Sequence, residues 1–311
     1  MGKTAFLFAG QGAQQVGMGR DLAEQFPCAM QVFEEASDAL GIDMKKLVWE
    51  SDEATLKITE NTQPAILTMS IAALRVLEEA GVQADLCAGL SLGEYSAHVC
   101  AGSVSFADAV RLVRRRGRYM EEACPAPRGA MAAIIGLSNE QVEALCREAS
   151  EFGVCEAANF NCPGQVSISG EHDAVGKACE LAKAAGAKRA VELVVSGPFH
   201  CSLLRGAGEK LAADLETVTF SDMKIPVVTN VTADFVPSAA EIRPLLARQV
   251  SSSVRWEDGV RRMIASGADT FVEVGPGTAL SGFMKRIDKE QASCHVSDVE
   301  SLKQTLEKLG V

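Results

Sequence analysis

Basic residues are in the minority: 30 Lys and Arg face 41 Asp and Glu, a formal net charge of -11. That balance opposes non-specific binding to nucleic acid or to an anionic membrane, since both carry negative charge of their own. Long apolar runs are missing too. The best of them, Ala65 to Leu77, is interrupted by Arg75 and falls short of the roughly 20 residues that a membrane span requires. The opening MGKTAFLFAG has no hydrophobic stretch with a cleavage site, and Phe6 stands where a myristoylation signal carries Ser or Thr. A cytoplasmic protein without membrane attachment is expected. Ten cysteines are present, yet none pairs as CxxC and no zinc spacing occurs. A chain this long does not depend on disulfide staples, so reduced, mostly buried thiols and no metal site are expected.

What is present suits a globular protein: 47% apolar and 23% charged residues, which excludes disorder, collagen and coiled coil. Thr4 to Ala9 is a short apolar run, closed by the glycine-rich GQGAQQVGMG and followed by a helical pattern. Asn61 and Thr62 before Pro64 read as a capped helix start, with Gly81 as its stop. Leu86 to Leu90 reads as a strand and Gly93 onward as a helix. Apolar strands alternating with helices predict a mainly parallel sheet covered on both faces.

From Ala130 the order becomes βαββαβ, ending in the strand pattern KRAVELVV at 188–195. That is the signature of a split-βαβ, ferredoxin-like unit. The chain therefore divides into a large α/β domain at 1–127, a ferredoxin-like subdomain at 128–196, and the resumed large domain at 197–311.

Gly89-Leu90-Ser91-Leu92-Gly93 fits GxSxG between a strand and a helix. At such a turn flanking glycines let strand and helix approach closely, the hydroxyl stands clear, and the next backbone N–H faces the same space. Ser91 is the candidate nucleophile; a chance Gly/Ser turn is the alternative. Its base must come from four histidines, at 98, 172, 200 and 295. His98 lies two turns along the same helix, too far for a direct hydrogen bond. His172 and His295 sit in polar segments. His200 ends VVSGPFH, a strand-to-loop junction of the kind where open α/β sheets place their sites, and is preferred. No acid between 91 and 200 is an obvious third member, and a backbone carbonyl could instead hold the imidazole tautomer.

Arg111, Arg114, Arg115 and Arg118 share one helical stripe, within about 60° of Arg111 at about 100° per residue. Arg116 falls at about 140°, among Leu112, Ala109, Met120 and Val113, on the apolar side. A guanidinium cannot be neutralised there, so it requires a carboxylate, from the protein or from a ligand. The Gly10-Gln11-Gly12 loop fails the dinucleotide pattern, because Gln15 stands where GxGxxG needs glycine. The same loop could aim a backbone N–H at a developing oxyanion.

GQGAQ at 10–14, TQPA at 62–65, GLSLGEYSA at 89–97, RRRG at 114–117, NFNCPGQ at 159–165, GPFH at 197–200 and EVGPG at 273–277 occur in that order. In this the chain resembles the malonyl-CoA:acyl-carrier-protein transacylases of fatty-acid synthesis over essentially its whole length. The resemblance implies an α/β-hydrolase-like large domain with mainly parallel sheet and an inserted ferredoxin-like subdomain. It implies attack by Ser91 on the malonyl thioester, proton transfer to His200, and an oxyanion hole from the backbone N–H groups of Gln11 and Leu92. Arg116 would pair with the malonyl carboxylate, Gln63 and Phe199 would contact substrate, and the carbonyl of Arg255 would orient the histidine.

The implied partners are malonyl-CoA as substrate and acyl carrier protein as acceptor, with no cofactor, no nucleic acid and a monomeric state. Arg111, Arg115 and Lys188 are candidate carrier contacts. The chain departs from the family pattern at Leu90, where histidine is usual, and at Cys201, where serine is usual; on an extended segment the Cys201 side chain should point away from His200. A serine esterase or editing acyl hydrolase using the same pair is the alternative enzyme, and a carrier-docking module the non-enzymatic one.

Overall fold

The computed structural model describes residues 2–125 and 127–311. In chain order its strands are β1 (Lys3–Phe8), β2 (Leu86–Gly89), β3 (Gly129–Ile135), β4 (Cys155–Cys162) and β5 (Gln165–Glu171). They are followed by β6 (Arg189–Glu192), β7 (Val227–Val228), β8 (Ala268–Val274) and β9 (Ala292–Val296). Five of them make one sheet in the order β7-β2-β1-β8-β9, parallel at every pairing.

The central strand β1 shows why its residues are continuously apolar. Phe6 and Phe8 enter one core, Ala5 and Leu7 the core on the other face. Both faces are covered by helices, so the alternation of a half-exposed strand would leave polar groups buried. The long helix Thr59–Glu79 lies almost wholly within the larger core. Among the described residues no helix is long and apolar enough to cross a membrane.

The other four strands form an antiparallel sheet in the order β4-β5-β3-β6. Counted within the insertion, that is 2-3-1-4, the order of the split-βαβ unit. Period two divides its faces. Ala130, Ala132, Ile134, Val166 and Ile168 join a third core under the helices Asn139–Ala149 and His172–Ala184. Met131 and Ser167, pointing the other way, line a cavity against the large sheet. Val254 ties the two parts together, its N–H donating to Ala158 O and its carbonyl accepting from Phe160 N.

Two local expectations are corrected. The strand expected over 188–195 closes at Glu192, after which only Leu193 N continues the ladder, to Met131 O, and Val194 is fully exposed. The helix expected to start at Asn61–Thr62 starts at Thr59 and carries Pro64 inside it. Its extra turn is secured from afar: Thr59 N–H donates to Glu121 Oε1 at 2.7 Å, a cap no local pattern encodes.

Around the strand–turn–helix at residues 89–93 the backbones nearly touch. A Cβ at Gly89 would lie 1.9 Å from Gly93 C, and one at Gly93 would lie 2.2 Å from Phe8 O. Gly206, in the helix Arg205–Leu215, has nothing within 4 Å of its Cβ position. Gly89→Ala is therefore expected to cost about 3 kcal/mol or more through forced backbone movement. Gly206→Ala should instead be neutral or stabilising by up to about 1 kcal/mol. Urea midpoints of the two variants would test this, and equal midpoints would refute the steric account.

Candidate active site

Ser91 sits at φ 54°, a left-handed conformation that a non-glycine residue adopts only under constraint. The constraint is visible on both sides of it. Its N–H donates to Asn230 Oδ1 at 2.6 Å, and its carbonyl accepts from Gln249 Nε2 at 3.0 Å. Asn230 is itself fixed, with Nδ2 donating to Gly89 O at 2.7 Å. The helix Gly93–Cys100 begins two residues later, so its positive end lies beside the serine hydroxyl. Among the described residues the backbone N–H groups of Gln11 and Leu92 have no protein acceptor, as an oxyanion hole requires of its donors before reaction.

His200 Nε2 lies 2.6 Å from Ser91 Oγ. Its Nδ1 faces the carbonyl oxygens of Gln249 at 3.0 Å and Ser252 at 3.2 Å. Carbonyls only accept, so Nδ1 carries the proton and Nε2 is left as the base. Burial, assisted by the nearby Arg116 cation, pushes the imidazole down to about 4, against the opposing pull of those two carbonyls. The ring is therefore neutral near pH 7 and able to take a proton from the serine.

The carbonyl expected from Arg255 does not reach the histidine. Arg255 O is consumed by the helix Trp256–Ala265, where it accepts from Gly259 N, and its guanidinium pairs with Asp258. The chain just upstream ends a different helix, Ala239–Gln249, where the α-helical ladder stops and Gln249 O accepts only a long 3.4 Å hydrogen bond from Ser252 N. The remaining lone pair of Gln249 O, with Ser252 O beyond it, is what the imidazole uses.

Arg116 is 1% exposed, on the inner side of its helix as the angular argument expects. Among the described residues no carboxylate touches it. Nη1 donates to Gln63 Oε1 at 2.9 Å, and Nη2 to Ser91 Oγ at 3.1 Å and Gln249 Oε1 at 3.0 Å. All three acceptors are neutral, and Nε has no partner among the described residues. Arg111 and Arg115 of the outer stripe instead pair at the surface with Asp108 and Asp214.

A cavity of about 690 Å³ lies between the two sheets and takes its walls from both. Gln11, Leu90, Ser91, Arg116, Phe199 and His200 line it. Gln63 does not. It is fully buried behind Arg116, so the substrate contact expected of it is replaced by a grip on the guanidinium. Leu92 turns its side chain into the core, leaving only its main chain at the turn.

The rival groups are elsewhere. His98 is buried against the Ser103 hydroxyl, and His172 is exposed beside Asp173 and Glu192. Cys201 is buried with Sγ donating to Pro198 O, and burial pushes its thiol up to about 11, far from the thiolate a nucleophile needs.

A hydroxyl, a neutral imidazole and a cation with no carboxylate in direct contact thus converge on one cavity. The acyl transferase domain model matches residues 5–303. The chain belongs to the acyl transferase family. It is 46% identical to the malonyl CoA-acyl carrier protein transacylase of Bacillus subtilis over 99% of this chain and 98% of that protein. It is 48% identical to that of Escherichia coli K12, over 92% and 93% of the two chains. The crystal structure of the Clostridium perfringens malonyl CoA-acyl carrier protein transacylase superposes with a TM-score of 0.96 at 44% identity, covering 99% and 97%. A type II PKS acyl-carrier protein in complex with its malonyl-transacylase gives 0.96 at 46% identity, covering 98% and 99%.

Four residues of this acyl transferase site escaped the sequence reading: Gln249, Ser252, Asn230 and Glu94. Gln249 carried a usable signal, since Ile242, Leu245, Leu246 and Gln249 recur at i, i+3, i+4 and i+7 and all are buried. A polar residue on an apolar stripe is the same sign that singled out Arg116. Asn230 lies two residues beyond the end of β7, at the strand end where α/β sheets build sites.

Because the cation helps hold the imidazole down, its removal should raise it. NMR titration of the His200 ring is expected to show a neutral imidazole down to about pH 4 in the native protein. In Arg116→Gln the midpoint should move upward. An unmoved midpoint would remove the cation from the list of causes.

Proposed function

We propose that this acyl transferase moves a malonyl group from malonyl-CoA to the phosphopantetheine thiol of an acyl carrier protein, by way of a malonyl ester on Ser91. The observation that carries this reading is the Arg116 guanidinium, buried within hydrogen-bond reach of the nucleophile and held only by neutral oxygens. A buried cation in that state favours a ligand bearing a carboxylate, and a guanidinium fork matches it in two hydrogen bonds. Malonyl has its carboxylate one carbon from the thioester carbonyl, so one end can meet Arg116 while the other meets Ser91.

The steps follow from the geometry. Ser91 Oγ attacks the thioester carbon while its proton passes to His200 Nε2. The carbonyl oxygen becomes an oxyanion, for which the amides of Gln11 and Leu92 are the proposed donors. Collapse breaks the C–S bond, and the departing CoA thiolate takes the proton from His200. The imidazolium between these events is stabilised by the Gln249 and Ser252 carbonyls, which take the part that an acid plays in other triads.

The carrier thiol then gives its proton to the same nitrogen and attacks the malonyl ester, restoring Ser91. The exchange is ping-pong. The two thioesters are similar in energy, so the site must favour transfer to the carrier thiol over transfer to water. Phe199, on the cavity wall, is the proposed contact with the methylene carbon of malonyl.

Arg116→Ala should lose roughly 2 to 5 kcal/mol of transition-state stabilisation with malonyl-CoA, a factor of tens to thousands. Acetyl-CoA, with no carboxylate, should lose far less. Comparable losses with both substrates would show that the arginine is structural. Digestion after incubation with malonyl-CoA should also yield a Ser91 peptide heavier by one malonyl group. Immediate release of malonate, with no adduct, would point to an acyl hydrolase instead.

A further inference from the structure

Glu94 is fully buried one residue into the helix that follows the nucleophile turn. Its Oε2 accepts two hydrogen bonds, from Gln249 Nε2 at 2.6 Å and from Asn230 N at 3.0 Å. Both donors lead straight back to the nucleophile. Asn230 Oδ1 takes the N–H of Ser91, and Gln249 Nε2 also donates to its carbonyl. The other face of the Gln249 amide, Oε1, accepts from Arg116 Nη2.

An amide has one accepting and one donating end, and here the surroundings dictate which goes where. Arg116 can only donate, whereas the Ser91 carbonyl only accepts, so Oε1 faces the arginine and Nε2 faces the carbonyl and Glu94. The carboxyl group thereby anchors the amide from behind. It stands one amide away from Arg116 instead of against it. In direct contact a carboxylate would occupy the guanidinium fork and neutralise it. With Gln249 interposed, the Nε–H of Arg116 stays uncommitted.

We propose that Glu94 is a positioning residue for acyl selection, acting through Gln249 to aim the Arg116 guanidinium and through Asn230 and Gln249 to hold the backbone of Ser91. This rests on the malonyl-transfer reading above. Malonyl depends on both effects, acetyl only on the second, so loss of the anchor should harm malonyl more.

The test is single-turnover acylation of Ser91 by malonyl-CoA and by acetyl-CoA, followed by intact mass spectrometry, with a thermal melt of each protein. Glu94→Ala is expected to lower the malonyl-to-acetyl rate ratio at least tenfold. Glu94→Gln, which keeps an accepting oxygen, should hold that ratio within about threefold of the native value. Gln249→Ala removes the intermediary and should reproduce the fall in ratio, which keeps the test decisive if Glu94→Ala does not fold.

Equal losses with both substrates, in step with lost stability, would reduce Glu94 to a structural role and overturn the proposal. A Glu94→Gln ratio as low as that of the alanine variant would overturn it too, by making charge, not hydrogen-bond acceptance, the property that matters. A native protein that takes up both acyl groups equally would instead sink the malonyl reading itself, before any variant is compared.

Discussion

A cation that cannot shed its proton is buried at the centre of this molecule, and much of the surrounding structure is arranged around that fact. Guanidinium groups stay charged under all physiological conditions, and taking one out of water costs several kcal/mol unless polar groups replace the lost hydration. Around Arg116 the replacement is assembled from neutral oxygens, on Gln63, Gln249 and Ser91, and a tyrosine ring lies 5.8 Å from the guanidinium carbon. These groups lower the cost of burial while leaving the charge in place. A charge kept in this way is available to a substrate.

The same cation bears on the proton chemistry beside it. His200 is neutral because its ring is buried and because a positive charge stands nearby, and both influences disfavour an imidazolium in the resting protein. Opposing them are two carbonyls at the far nitrogen, which favour the imidazolium when it must form. A carboxylate in their place would add a second buried charge and pull the resting imidazole toward protonation. Carbonyls from a helix end and the loop beyond it fix the tautomer without adding a charge.

Strain is stored at the two residues that exchange the proton. Ser91 and His200 both have positive φ, at 54° and 61°, in a chain where almost all other such angles belong to glycine. Ser91 is held there by Asn230 and Gln249, drawn from segments that lie well over a hundred residues away in the chain. The sharp turn brings β2 and the following helix so close that glycine is required at 89 and 93. Fold and site are therefore one construction: the crowding that demands glycine also sets the hydroxyl at the rim of the cavity.

Features governed by neighbouring residues are legible in the sequence alone. The βαββαβ order, the glycine-flanked serine and the inward side of Arg116 all follow from periodicities of two and 3.6 residues and from local sterics, which operate over a few positions of chain. Three outcomes were not legible. Sequence pattern could not tell that the carbonyls serving His200 belong to Gln249 and Ser252, because Arg255 loses its own to a helix that starts beside it. Nor could it tell that Arg116 meets amide oxygens where an acid was equally plausible, or that Gln63 stands behind the guanidinium and not in the cavity. Those matters turn on contacts such as Ser91 to His200, 109 residues apart, and Ser91 to Asn230, 139 apart. Only the packed tertiary structure brings such groups together and removes the water that would otherwise blunt their charges.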